Sequence, residues 1–154
     1  MVDYARTKGG FERMINENRL QHIMGVARLM KEKAKILGLD EQEMFLLGMM
    51  HDVAYEFDES AEHNRTGGNL LKSQNYKYYN EVYYHGDINA EYKSLELDLL
   101  NFCDMHVDGK GNVVSFEERL QDIKTRRGEN SFAAVKCAEM MRRLESNPLL
   151  KDLF

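Results

Sequence analysis

Apolar positions recur along most of this chain at steps of three and four residues, the spacing of one face of an α-helix. Between Arg19 and Leu37 they fall at Leu20, Ile23, Met24, Ala27, Met30, Ala34 and Leu37, a single stripe. Gly38 follows as a C-terminal glycine stop. Asp40, with Glu43 three residues on, has the form of a capping box opening the next helix. That helix carries the run Met44-Phe45-Leu46-Leu47-Gly48-Met49-Met50 and ends at His51-Asp52. A segment beginning at Ser60 reads as helix through Gly67-Gly68 because Leu70-Leu71 follow. Asn75 to Tyr84 reads as a short aromatic helix stopped by His85-Gly86, and Ala90 to Asp104 as an amphipathic one through Leu95, Leu99, Leu100 and Phe102. After a polar loop, residues 108–112, Ser115 with Glu118 opens a helix that ends at Gly128. Ser131 to Glu145 forms the last. No period-2 stretch is long enough to build a sheet, and Val113-Val114 offers an isolated bridge at most. The expected fold class is all-α, a compact helical bundle.

Composition narrows this picture only a little. The 154 residues suffice for one domain with a real core and are too few for two comfortable ones. No apolar run approaches the length of about 20 residues needed to cross a membrane. Met1 to Arg6 lacks the apolar region of a signal peptide. Cys103 and Cys137 make neither a disulfide framework nor a CxxC motif, so a reducing cytoplasm is the expected location. The net charge of −5 argues against a surface that coats bulk nucleic acid. It leaves a nucleotide substrate possible, because a bound metal would add positive charge that the formal count omits. The sequence leaves both a monomer and a homodimer open.

The chemistry centres on His51-Asp52. An imidazole and a carboxylate at the rim of a buried helix are costly unless partnered, and a divalent cation is an effective partner for both. Consecutive helical residues point about 100° apart, so both side chains can reach one ion over the edge between them. Four of the five histidines, together with Asp52 and Asp104, stand where a single site could use them: His22, His51, His63 and His85. Most of these positions fall near expected helix ends, where a bundle opens a pocket and groups from several helices converge.

The order of these residues resembles the HD-domain superfamily of metal-dependent phosphohydrolases. A His on one helix, a His-Asp pair on the next and a distal Asp correspond to His22, His51-Asp52 and Asp104. His63 and His85 look like the extra histidines of members that hold a second metal. The runs His51-Asp52-Val53-Ala54-Tyr55-Glu56, Glu62-His63 with Gly67, Tyr84-His85-Gly86, and Asp104-Met105 to Glu118-Arg119-Leu120 resemble small, uncharacterised bacterial HD hydrolases. The likeness spans roughly Arg19 to Arg127. It implies one HD-type domain over residues 1–154, with its core at about 19–127 and a C-terminal helix packed on it.

The resemblance further implies one or two divalent transition-metal ions. Asp52 would bridge, with His22, His51 and Asp104 completing one site and His63 and His85 the other. A metal-activated water would then attack phosphorus in line. Four imidazoles and two carboxylates suit Fe, Mn, Co, Ni or Zn better than Ca²⁺ or Mg²⁺. Many members carry Lys or Glu three residues after the motif Asp. Tyr55 stands there, and Glu56, one position later, is the residue taken as catalytic beside Asp52. The expected substrate is a small phosphorylated metabolite, most plausibly a nucleotide, with Arg65 and Arg119 as its cationic contacts. The alternative is an HD module that senses a metal or ligand without turnover.

Plainer readings stand beside these. Asp104, His106, Asp108 and Gly109 match the start of a calcium loop, but Ser115 occupies the place of its bidentate Glu. His106 reads as solvated. Lys72 and Lys110 read as surface charges, and Arg126-Arg127 as last-turn cations facing a helix dipole. Tyr76, Tyr78, Tyr79, Tyr83 and Tyr84 read as a packing face rather than a base-stacking platform.

Overall fold

A computed structural model describes residues 17–56 and 63–154. Helix α1 (Glu17–Leu37) is followed by α2 (Glu41–Met50), a 3-10 turn (Val53–Glu56), α3 (His63–Ser73), α4 (Tyr79–Tyr84), α5 (Leu95–Asp104), α6 (Phe116–Arg127), α7 (Phe132–Glu145) and a terminal 3-10 turn (Pro148–Leu153). The all-α class expected from the spacing is the one observed. Among the described residues the β-type pairing is a single antiparallel bridge, Val107 to Val113, across the polar loop. The expected helix start at Ser60 lies outside the described residues.

Helix α1 packs on α2, α5 and the terminal turn, while α3 and α4 pair with each other and α6 pairs with α7. Met30 and Ala34 of the α1 stripe, with Val26 beside the stripe, are buried in one cluster with Met44 and Leu47 of α2 and Leu99, Leu100 and Cys103 of α5, and Ala27 is buried at Gly48. Gly48 sets the α1–α2 approach. A Cβ there would lie 2.5 Å from the Ala27 Cα and 2.9 Å from its nitrogen, both backbone atoms that cannot swing aside. Gly48→Ala gains helix propensity but forces the helices apart. The overlap outweighs the gain, and the net loss is about 1–3 kcal/mol, read as a lower urea midpoint.

Several helix ends follow the sequence. Gly38 adopts φ +73°, and Ser115 and Glu118 form a complete capping box. The box at Asp40 is only half made. The Asp40 carboxylate accepts from the Glu43 N–H, whereas the Glu43 carboxylate turns away to accept from the Tyr78 hydroxyl and from Lys77 at 3.1 Å.

Two expected helices are shorter than their patterns. Asn75 takes φ +60° and ends α3, with the Tyr76 N–H turned back to the Leu71 carbonyl at 2.9 Å. This is a Schellman-type stop, and α4 begins only at Tyr79. Ser94 caps α5 by accepting from Leu97, which leaves residues 87–94 as a connection rather than a first turn. The Pro148–Leu153 turn has no counterpart among the expected elements; it buries Leu150 and Leu153.

Candidate metal centre

Five elements end or begin around one point. Helix α1 contributes His22, the C-terminal end of α2 contributes His51 and then Asp52, α3 opens with His63, α4 is capped by His85, and Asp104 is the last residue of α5. His22, His51, Asp52 and His85 are buried, and His63 and Asp104 are partly exposed.

The two carboxylates collect the imidazoles. His22 Nε2 lies 2.8 Å from Asp104 Oδ1, and His51 Nε2 lies 3.5 Å from the same oxygen and 3.3 Å from Asp52 Oδ2. Asp52 Oδ1 faces His63 Nε2 at 3.2 Å and His85 Nε2 at 3.5 Å. In two overlapping groups, His22/His51/Asp104 and His51/Asp52/His85, one donor atom from each residue lies within 4.8 Å of the others. Five of the six sequence-selected residues fall in these two groups, and His63 joins them through Asp52 Oδ1.

The other face of three rings is already committed. His22 Nδ1 is 3.1 Å from the Asp108 carbonyl, His51 Nδ1 is 2.6 Å from the Gly48 carbonyl, and His85 Nδ1 is 2.6 Å from the Val82 carbonyl. A carbonyl only accepts, so each Nδ1 carries the proton, and in the neutral ring Nε2 presents its lone pair inward. His51 Nε2 is fully buried and makes no hydrogen bond, since neither nearby carboxylate is aligned with it. Backbone carbonyls behind ligating imidazoles are the usual way of fixing ring orientation at a metal.

In the metal-free chain the charges balance by protonation. Burial opposes charge on His51, but Asp52 and Asp104 outweigh it and hold its pKa well above the ordinary value. Burial likewise opposes both carboxylates. His51 with His63 and His85 nevertheless drives Asp52 well below the usual range, and His22 with His51 does the same for Asp104. A dication would replace the proton between these groups and satisfy His51 Nε2. The donor set, imidazole nitrogen with carboxylate oxygen, fits a first-row transition ion.

Sequence reasoning did not select Arg19. Its guanidinium NH1 lies 2.8 Å from Asp52 Oδ2. The available signal was spacing, because Arg19 stands one helical turn before His22 and shares its face. Asn64 and Asn101 were also missed. Asn64 donates to the His85 carbonyl at 3.0 Å, and Asn101 accepts from the Gly86 N–H at 2.8 Å, so together they fix the His85 corner.

Other selected residues sit elsewhere. Arg65 pairs with Asp87 at 2.7 Å and lies 4.6 Å from the centre of the Tyr83 ring. Arg119 reaches Asp122 at 3.5 Å, and its buried Nε makes no hydrogen bond. Glu56 closes the first 3-10 turn, and its side chain lies outside the described residues. His106 is not solvated. It is half-buried and stacked on Phe102 with ring centres 4.2 Å apart, its Nδ1 bonds the Phe102 carbonyl, and burial lowers its pKa. The Asp108 carboxylate accepts from the Lys110 and Asn112 N–H groups, which closes the polar loop on itself. Among the tyrosines, Tyr84 stacks on Tyr92 and Tyr76 meets Tyr78 edge-on.

The chain is similar to a protein from Halalkalibacterium halodurans named symmetrical bis(5′-nucleosyl)-tetraphosphatase. The two are 28% identical over 109 residues, covering 68% of this chain and 58% of that protein. The chain therefore spans less than two thirds of the length of the curated relative it matches. No protein-family model matches the chain. No solved structure matches it. Among the described residues, no helix is long and apolar enough to cross a membrane.

Proposed function

We propose that this chain is a metal-dependent phosphohydrolase of HD-domain type acting on a nucleotide, with a dinucleoside polyphosphate as the leading substrate class. The observation that carries the reading is the buried, unbonded His51 Nε2 between two carboxylates, with its Nδ1 already bound to Gly48. A cation supplies what that atom lacks. The similarity to a nucleotide hydrolase supports the substrate class. The buried free thiols of Cys103 and Cys137 accord with a reducing cytoplasm.

His22, His51 and Asp104 would hold one ion, and His63 and His85 a second, with Asp52 between them. When bound, such an ion lowers the pKa of a water toward neutrality and offsets charge on the phosphoryl oxygens. The chain's own residues do the rest. The Asp108, Gly48 and Val82 carbonyls hold three rings in the tautomer that leaves Nε2 unprotonated. Asp52 and Asp104 keep the site anionic, which disfavours a bare phosphate unless a cation is present. Glu56 is assigned the proton delivered to the leaving group. Arg65 is assigned to the substrate, for which it would have to leave Asp87. Arg119 is the second assigned contact.

The test is hydrolysis of diadenosine tetraphosphate and of mononucleotides by protein loaded with Mn, Fe, Co, Ni or Zn. Nucleotide release that requires a loaded metal and stops on chelation is expected. Protein that takes up no stoichiometric metal and releases nothing overturns the reading. Uptake of metal without turnover favours the sensing module.

A further inference from the structure

Three rings at the metal centre lean on main-chain carbonyls, but the carbonyls differ in origin. His51 and His85 take theirs from their own helices, three residues back at Gly48 and Val82. His22 takes its from Asp108, 86 residues along the chain. Two supports are therefore local, and the third depends on where the loop of residues 107–113 sits.

That loop is one closed unit. The Asp108 N–H donates to the Asn112 carbonyl at 3.0 Å, and the Asp108 carbonyl accepts from the Gly111 N–H at 3.1 Å as well as from His22 Nδ1. Asp108 Oδ1 accepts from the Lys110 and Asn112 N–H groups, both at 2.9 Å. The unit lies directly on the α1 backbone. A Cβ on Gly25 would lie 2.6 Å from the Gly111 carbonyl oxygen and 2.8 Å from the Gly111 Cα, and a Cβ on Gly111 would lie 2.4 Å from the Gln21 carbonyl oxygen. Gly111 also takes φ +84°. Gln21 and Gly25 bracket His22 within about one helical turn. Bare glycines at both places let loop and helix meet this closely. A methyl at either pushes the unit off α1 by roughly 1 Å, because carbon–carbon contacts settle at about 3.5–4 Å. The Asp108 carbonyl leaves with it, and a 3.1 Å hydrogen bond does not survive such a shift.

We infer that Gly25 and Gly111 are positioning residues for metal binding: their contact seats the loop so that the Asp108 carbonyl holds His22 as an Nε2 ligand. The inference rests on the metal-dependent reading given above. One ligand group can then be loosened alone. The His22/His51/Asp104 group weakens when the seat is lost, whereas the His51 and His85 rings keep their own carbonyls.

Zn²⁺, being diamagnetic, is the probe. Calorimetric Zn²⁺ titration and ring-nitrogen NMR of the Zn²⁺-loaded protein are compared for the wild type, G25A, G111A, D108N and L144A. Removing a support behind a ligating imidazole costs about 10- to 100-fold in metal affinity, so G25A and G111A should show that loss for one ion. Their His22 Nδ1–H signal should lose its protection from exchange, with those of His51 and His85 retained. D108N keeps both the main-chain carbonyl and an Oδ1 acceptor, and should stay within about twofold of wild type. L144A removes buried α7 packing outside the loop and the metal centre, and should spare both readouts. A glycine inserted between Gly109 and Lys110, a change that surface loops absorb, loosens the same unit and carries the test if neither glycine variant folds. Wild-type Zn²⁺ affinity in the folded variants overturns the inference. So does an equal loss in L144A, which would make the effect one of stability alone, or loss of all three ring signals together. A wild type that takes up no Zn²⁺ defeats the metal-dependent reading instead, before any variant is compared.

Discussion

Asp52→Asn lowers metal-dependent nucleotide hydrolysis by about 10³-fold or more, measured as initial rates at matched metal loading, with helical content by circular dichroism unchanged. Asp52 is the group on which His51, His63, His85 and Arg19 all converge. Asparagine keeps its volume and one acceptor oxygen but removes the anionic charge a dication needs. The fold survives because His51 keeps Asp104 beside it, while burial opposes its charge and the loss of Asp52 lowers its pKa. A variant that turns over within about tenfold of wild type at equal metal content removes Asp52 from the mechanism.

Stripping the metal is expected to cost the protein about 8–16 °C in Tm. A ligand present at about a thousand times its dissociation constant contributes about 4 kcal/mol. Each kcal/mol moves a domain of this size by about 2–4 °C. The gap should widen between pH 6 and pH 8. His51 has a folded pKa above its unfolded value, so its contribution to the metal-free fold is complete below about 6.5 and is lost as pH rises through the folded value. Asp52 and Asp104 have depressed folded values, so their contribution persists through this range and fails only in acid. Metal uptake, which must displace protons from imidazole, strengthens over the same interval. Differential scanning fluorimetry with and without chelator at several pH values reads both trends. Equal melting temperatures throughout would rule out a resident metal.

Part of this was legible in the residues. Helix α1 follows from an apolar stripe closed by Gly38, α2 from an apolar run opened by Asp40, and α6 and α7 from the Ser caps at their starts, with Gly128 ending α6. The region around α4 was misjudged because its aromatic residues suggested a continuous helix, while Asn75, able to adopt a positive φ, ended the preceding one. The start of α5 was misplaced because the cap is Ser94, which accepts from the Leu97 N–H, and not Ala90.

At the site, the side chains were readable as types in order, because imidazole and carboxylate announce themselves. Their supports were not. The Gly48, Val82 and Asp108 groups that orient the rings are backbone carbonyls, which every residue carries. His106 was misread because Phe154, one of the two rings it packs beside, lies far along the chain and outside any local pattern.

The carbonyls that pin His51 and His85 belong to the last turns of α2 and α4, where main-chain acceptors fall vacant as a helix runs out. Each ring therefore serves as a stopper for its own helix at the same time as it faces the carboxylates. The position of these two groups is written in helix length, not loop content. Inserting one residue into α2 ahead of Gly48 would swing His51 round by about 100° away from the carboxylates, while the ring, only three residues beyond Gly48, would stay plugged into its own helix end. An insertion at the tip of the 108–112 loop, by contrast, would leave both rings facing the carboxylates.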